Sequence, residues 1–278
     1  MRFFHTLREK LFVFKQTRKG NFIPLLKYTI FRIGLSRFLY LHRDHYKMRV
    51  WKSPFAFWLW SHQNRARKDE EFMNAFFKEG DTFVDCGAHL GTLSITASKK
   101  VGLKGRVIAI EPTPATFSFL KQNIEDNGCH NVSLHKLAVG DKIKSAMFRT
   151  SYISDMNHID KKGNVEVQMT TLDHLLKNEK EITLLKLDVE GEELSALTGA
   201  RNILSRVSAV YFESAPETLK RMGYTLSDIM DYLAEFGFKV YRQDDDFSIF
   251  EIGKEYETKQ RYEDLIALKE VEFYLKRI

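Results

Sequence analysis

From Asp81 to about Gly253 the chain alternates short runs of apolar and β-branched residues with amphipathic stretches, a rhythm that few folds can accommodate. Strands separated by helices need crossover connections, so the runs are expected to lie side by side in a mostly parallel sheet with helices on both faces. Strands are predicted at TFVDC, RVIAIEP, VSLHKLAV, ITLLKLDV, AVYFES, FKVYR and FSIFEI, seven in all. In ATFSFLKQNIEDNG, Phe117, Leu120 and Ile124 recur three and four residues apart and Gly128 closes the run, the pattern of a helix. Leu194, Leu197, Ile203 and Leu204 repeat the device, and TLSDIMDYLAEFG opens a third helix at Thr225 or Ser227. The polar QDDD between the last two strands signals a hairpin, so the sheet should end antiparallel.

Outside that rhythm the expectations are simpler. Lys142 to Thr171 reads as an insertion of irregular strands and loops above the sheet, a place to hold a substrate. YEDLIALKEVEFYLKRI reads as one more helix. The chain thus divides into a basic, aromatic-rich helical extension over 1–70, an α/β domain over 71–253 and a C-terminal helix over 254–278.

Charge separates the first segment from the rest. Residues 1–68 hold sixteen Lys and Arg against two acids, Glu9 and Asp44, while the whole chain has a net charge of only +6, so the body is acidic. A basic arm suits anionic partners, and with the aromatic residues of SPFAFWLWSHQN it suggests peripheral contact of 1–68 with a membrane. A solvated helical cap explains the same charges equally well. No run reaches the ~18 apolar residues of a membrane span, and Arg8, Glu9, Lys10 and Lys15 interrupt any leader-like apolar core. Cys86 and Cys129 form neither a disulfide framework nor a C-x-x-C spacing, so a reducing, cytoplasmic setting is expected.

Three strand ends carry the chemistry. In FVDCGAHLGTLS a strand runs into a glycine-bearing turn and then a helix, the junction where free backbone N–H groups meet an anion or nucleotide. Gly87 and Gly91 should let a ligand lie against the main chain, and Asp85 should accept hydrogen bonds from an amine. The spacing is not G-x-G-x-x-G, and the acid before the turn suits S-adenosylmethionine, which is cationic, better than a dinucleotide. Glu111, 26 residues beyond Asp85, ends the next strand, where a carboxylate can take both hydroxyls of a ribose. In LLKLDVEGEELSALTGA, Lys186, Asp188 and Glu190 alternate with Leu185, Leu187 and Val189, putting three charges on one face of a strand expected to be covered on both sides. Buried charge is costly unless paired or functional, which marks Asp188 as a site residue, with a purely structural Lys186–Asp188 pair as the competing account.

FVDCGAHLGTLS, VIAIEP, HKLAVGD, TTLDHLL, LLKLDVEGEELSALTGA and VYFES together resemble the FkbM family of class I S-adenosylmethionine-dependent methyltransferases, over about Gly80 to Val240. The resemblance implies a Rossmann-like seven-stranded sheet and methylation of a hydroxyl on a sugar, glycolipid or other small metabolite. It implies a cofactor site of Asp85, Gly87, Ala88, His89, Gly91 and Thr92 at the methionine end and Glu111 at the ribose, with Pro112, Ala138 and Val139 flanking the adenine. His89 stands where the family commonly has Asn.

For catalysis Asp188 is the first candidate base, with Glu190 and Glu213 behind it and Lys186 holding Asp188 ionised; Asp155 and His158 of the insertion are candidate acceptor contacts. The carboxylates suit magnesium in kind, yet no metal is predicted. The acceptor is expected to be a small molecule or saccharide, and the basic arm suits one that is anionic or lipid-linked. Two other readings compete. One is an RNA methyltransferase using that arm on phosphates, against which stands the missing Asn-Pro-Pro-aromatic signature. The other is a non-catalytic cofactor-binding or membrane-associated module of the same fold.

Overall fold

In a computed structural model of the chain, the residues described are 22, 25, 26, 29, 30, 33–49, 60, 68–149, 158, 159, 162–258 and 260–278. The centre is one eight-stranded sheet. Its strands are β3 (Thr82–Cys86), β4 (Arg106–Ile110), β5 (Val132–His135), β10 (Ile182–Leu187), β11 (Val207–Ser214), β12 (Lys239–Gln243), β13 (Ile249–Glu251) and β14 (Glu263–Leu268), in the order β13-β12-β14-β11-β10-β3-β4-β5. From β5 across to β11 every pairing is parallel, and β14 runs antiparallel to both β11 and β12. The mixed α/β architecture expected from the alternation is present.

Several details differ from the sequence expectation, each for a definable reason. FSIFEI pairs with FKVYR as an antiparallel hairpin at the edge of the sheet, as expected, and the strand beyond the predicted seven is β14. The antiparallel strand inside the sheet is β14, drawn from the segment expected to be helical. Leu265, Ile266, Ala267 and Leu268 are all buried, with Leu265 and Ala267 on one face and Ile266 and Leu268 on the other. A continuous apolar run of this kind has no period by which a doubly covered strand can be told from a helix. Only α8 (Val271–Leu275) is helical beyond it, and its Tyr274 hydroxyl donates to the Phe247 carbonyl at 2.7 Å. Residues 263–278 therefore belong to the core rather than forming a separate C-terminal helix.

VSLHKLAV likewise divides. β5 stays in the central sheet, whereas β6 (Ala138–Val139) pairs with β9 (Val165–Thr170) in a second sheet completed by β7 (Lys144–Arg149) and β8 (His158–Ile159). The insertion is thus a regular four-stranded sheet rather than irregular loops. Its inward residues, Ala138, Ala146, Phe148, Val167 and Met169, form their own small cluster. They obey the two-residue alternation of a half-buried strand.

Helices α2 (Thr92–Val101) and α3 (Pro114–Asp126) follow β3 and β4, as the periodicity implies. α4 (Leu172–Leu175), α5 (Glu193–Thr198), α6 (Pro216–Met222) and α7 (Leu226–Ala234) cover the other half. Thr225 starts α7 with a capping box, its hydroxyl and the Asp228 carboxylate each satisfying a backbone N–H. Ahead of β3 lies α1 (Lys68–Phe76). The expected helical extension lies largely outside the described residues; over 33–49 it is a short 3-10 turn and an antiparallel hairpin, β1 (Tyr40–His42) and β2 (Lys47–Arg49). No helix of the described residues is long and apolar enough to cross a membrane.

Because β14 is covered on both faces, Ile266→Ala should lower unfolding free energy by about 2–5 kcal/mol, measured by urea denaturation. A surface helix would tolerate the same change with little loss.

Candidate active site

The register of the parallel strands brings the predicted charges together. Lys186 lies opposite Asp85 on one side and Tyr211 on the other, and Glu213 pairs with Asp264 one step nearer the carboxyl edge. Lys186 Nζ is 3.1 Å from Asp188 Oδ2 and 3.5 Å from Asp85 Oδ1. Ser94 of α2 donates its hydroxyl to Asp85 Oδ2 at 2.6 Å. Asp85 is wholly buried, while the Asp188 side chain is 42% exposed. One lysine thus links the buried Asp85 carboxyl to the part-exposed Asp188. Burial opposes the charge on Lys186, but Asp188 and Asp85 outweigh it and hold its pKa above the ordinary lysine value.

The glycines serve the chain first. Gly87 has φ +82°, and a Cβ there would lie 1.9 Å from the backbone oxygen of Asp188. Its missing side chain is what allows the turn after β3 to touch the end of β10. At Gly91, φ +91°, a Cβ would meet Leu120 of α3 at 2.8 Å. At both glycines a protein atom already lies within contact distance of where the side chain would be, a constraint from the fold itself that the sequence expectation did not include. His89, between them, has φ +50°. Asn and His are among the non-glycine residues that tolerate this region, which gives a backbone reason for Asn at the equivalent family position.

Glu111 ends β4 as predicted. Its Oε1 accepts the Thr113 N–H at 2.9 Å and its Oε2 the His89 N–H at 3.2 Å. Burial pushes the carboxyl up to about 7 against the hydrogen bonds from the Thr113 backbone and side chain and from the His89 N–H. Ala88, Ala138 and Val139 are buried, Pro112 follows Glu111, and Thr92 opens α2.

The D-V-E-G turn carries a residue that was not anticipated. Glu193 Oε1 accepts both the Val189 N–H (3.1 Å) and the Gly191 N–H (3.2 Å), and its Oε2 takes the Tyr224 hydroxyl at 3.2 Å. That clasp holds Glu190 at φ +58°, a left-handed conformation costing on the order of 1 kcal/mol. Burial raises the Glu193 carboxyl to about 7. An acid at the first turn of a helix just after a glycine was the available signal.

Glu213 is raised to about 8, by burial first and then by Asp188 and Glu190. Asp264 is raised well above the carboxylate range by burial, Asp69 and Asp188. Asp69 of α1, also raised chiefly by burial, accepts the Tyr211 hydroxyl at 2.8 Å. Asp264 and Asp69 escape sequence reading because β14 was taken for a helix and α1 meets β11 only in three dimensions. Asp155 lies outside the described residues; for His158 only the backbone is described, in β8 opposite Arg149. Among the described residues no group of three His, Cys, Asp or Glu is placed to hold a metal ion.

Residues 85–240, more than half the chain, match the methyltransferase FkbM domain. The chain belongs to the FkbM methyltransferase family. It is 28% identical over 149 residues to Methyltransferase 1 of Beauveria bassiana, covering 44% of this chain and 59% of that protein. It is 28% identical over 140 residues to the hexuronic acid methyltransferase AglP of Haloferax volcanii, covering 49% and 56%. The match thus spans under two thirds of the length of either relative. Among solved structures, a putative rRNA methylase from Clostridium thermocellum matches with TM-score 0.45 and 13% identity, over 72% of this chain and 93% of that one. A methyltransferase from Aquifex aeolicus matches with TM-score 0.43 and 16% identity, over 75% and 92%.

The FkbM cofactor is S-adenosylmethionine, and the residues present fit it. Glu111 ends β4 with a buried carboxyl that can accept from a ribose hydroxyl, and Asp85 Oδ1 is a buried acceptor without a hydrogen-bond partner.

Lys186→Met should destabilise the fold by about 3–5 kcal/mol, since it strands the buried Asp85 carboxylate. Adding Asp85→Asn should recover part of that loss in denaturant titrations.

Proposed function

We propose that this protein transfers a methyl group from S-adenosylmethionine to a hydroxyl of a saccharide or another small polyhydroxylated acceptor. The observation that carries the reading is Asp188, whose half-exposed carboxylate at the sheet's carboxyl edge is fixed through Lys186 to the buried Asp85. The name of the Haloferax volcanii relative, a hexuronic acid methyltransferase, supports a saccharide acceptor.

When bound, the cofactor supplies an electrophilic methyl on a positively charged sulfur. Glu111 would hold the ribose, with the 87–92 turn at the methionine end. Lys186 engages Asp188 at Oδ2, which leaves Oδ1 to receive the hydrogen bond and then the proton of the acceptor hydroxyl. Holding the reacting groups in line, about 3–3.5 Å apart, supplies much of the rate, and proton removal adds roughly 10²- to 10⁴-fold. Ionisation of Glu213 puts further negative charge near Asp188 and strengthens it as a proton acceptor.

The deciding experiment incubates the protein with methyl-labelled cofactor and a panel of sugars, glycolipids and RNA. Label on a sugar hydroxyl is the expected result; label on RNA alone would replace this reading with the RNA one. Asp188→Asn should cut transfer by about 10²-fold or more while leaving cofactor affinity largely intact. Transfer should rise as pH climbs through about 8, where Glu213 loses its proton, and Glu213→Gln should flatten that rise in a pH–rate profile.

A further inference from the structure

The hairpin β1–β2 is tied into the domain at several points. Arg43 Nε approaches Glu70 Oε1 of α1 at 3.6 Å, and Arg49 Nε reaches Asp126 Oδ2 of α3 at 2.7 Å. Asn127, just past α3, exchanges two hydrogen bonds with the Lys47 backbone, at 3.0 and 2.6 Å. Leu41, Tyr46 and Met48 pack in one cluster with Ala88 and Leu90 of the turn after β3 and with Leu120 and Ile124 of α3.

At the centre of this contact Asn123 has no exposed surface, and its amide is used at both ends. Oδ1 accepts the Arg49 N–H at 3.0 Å, and Nδ2 donates to the Leu90 carbonyl at 2.9 Å. The Arg49 N–H can only donate and the Leu90 carbonyl can only accept, so a single amide orientation satisfies both. Leu90 is bonded to His89, whose N–H donates to Glu111 Oε2.

We propose that Asn123 is a positioning residue through which the N-terminal hairpin sets the cofactor turn, aiming the His89 N–H at the Glu111 carboxylate. The proposal rests on the reading that Glu111 holds the ribose. Replacing Asn123 frees the Leu90 carbonyl and lets the turn drift, so Glu111 loses a donor that favours its ionised form. Its pKa, already raised to about 7 by burial, then climbs further. Asp188, from the end of β10, pushes in the same direction. The histidines joined to Glu111 through their backbones are His89 and His135; burial lowers both, His89 to about 4, which favours their neutral forms. A ribose diol donates to the carboxylate, so affinity should rise as pH climbs through the Glu111 midpoint.

The test is calorimetric titration of the full-length protein with S-adenosylhomocysteine, from about pH 5.5 to 8.5, a range spanning the carboxyl and histidine titrations. Asn123→Ala should weaken binding near neutrality by roughly tenfold and move the midpoint up by about half a unit or more. Asp126→Ala/Asn127→Ala loosens the hairpin at its partly exposed rim and should shift the midpoint the same way by less. Removing the Asp126 charge would by itself act in the opposite direction. Ile229→Ala, on the far face of the sheet, should lower thermal stability without moving the midpoint. An unshifted midpoint in Asn123→Ala, or in the double variant if Asn123→Ala does not fold, would overturn the relay alone. A wild-type affinity flat across the range would overturn the Glu111 reading and the relay with it.

Discussion

One ammonium group inside a parallel sheet governs the arrangement of the site. Lys186 sits on a strand covered on both faces, where an unpaired charge costs several kcal/mol, and two carboxylates make it tenable. Asp85 is locked from behind by Ser94, so the lysine has a fixed inner partner and is presented to Asp188 at the open edge. β3 and β10 are thereby connected by charge as well as by backbone pairing. Gly87 adds a steric link between them, since the Asp188 carbonyl occupies the space where its side chain would be.

Beyond this triad the carboxyls share a shortage of cations. Glu213, Asp264 and Asp69 all have raised pKa values with burial as the leading cause, and Asp188 contributes to each. Burial thus favours the protonated form of each, in which a carboxyl donates as well as accepts a hydrogen bond. Such groups would suit the hydroxyl-bearing acceptor proposed above, since hydroxyls also donate and accept.

What could be read from the chain follows from which interactions are local. β3, β4 and β10 were legible because each is a short apolar run closed by a polar strand end, and the Lys186–Asp188–Glu190 alternation stood out against its apolar neighbours. α3 and α7 were legible from apolar spacing and caps. β14 was not, since Leu265 to Leu268 carry no periodicity. The meaning of Gly87 was hidden too, because its constraint is an atom a hundred residues away, brought near only by strand register. Glu193 looked like an ordinary helix-start acid until its two backbone donors were seen. Asp69 and Asp264 required α1 and β14 to be placed.

β12 reaches the rest of the sheet only through β14, and β13 only through β12. The outer third of the sheet is consequently arranged as a chain of dependence: whatever detaches β14 from β11 takes both outer strands with it, whereas those two can fray without disturbing β14. Amide hydrogen exchange in such an arrangement is nested, with protection falling outward from β11. The acidic end of β14, holding Asp264 beside Glu213, then lies on the boundary between the sheet's permanent half and the part that opens first.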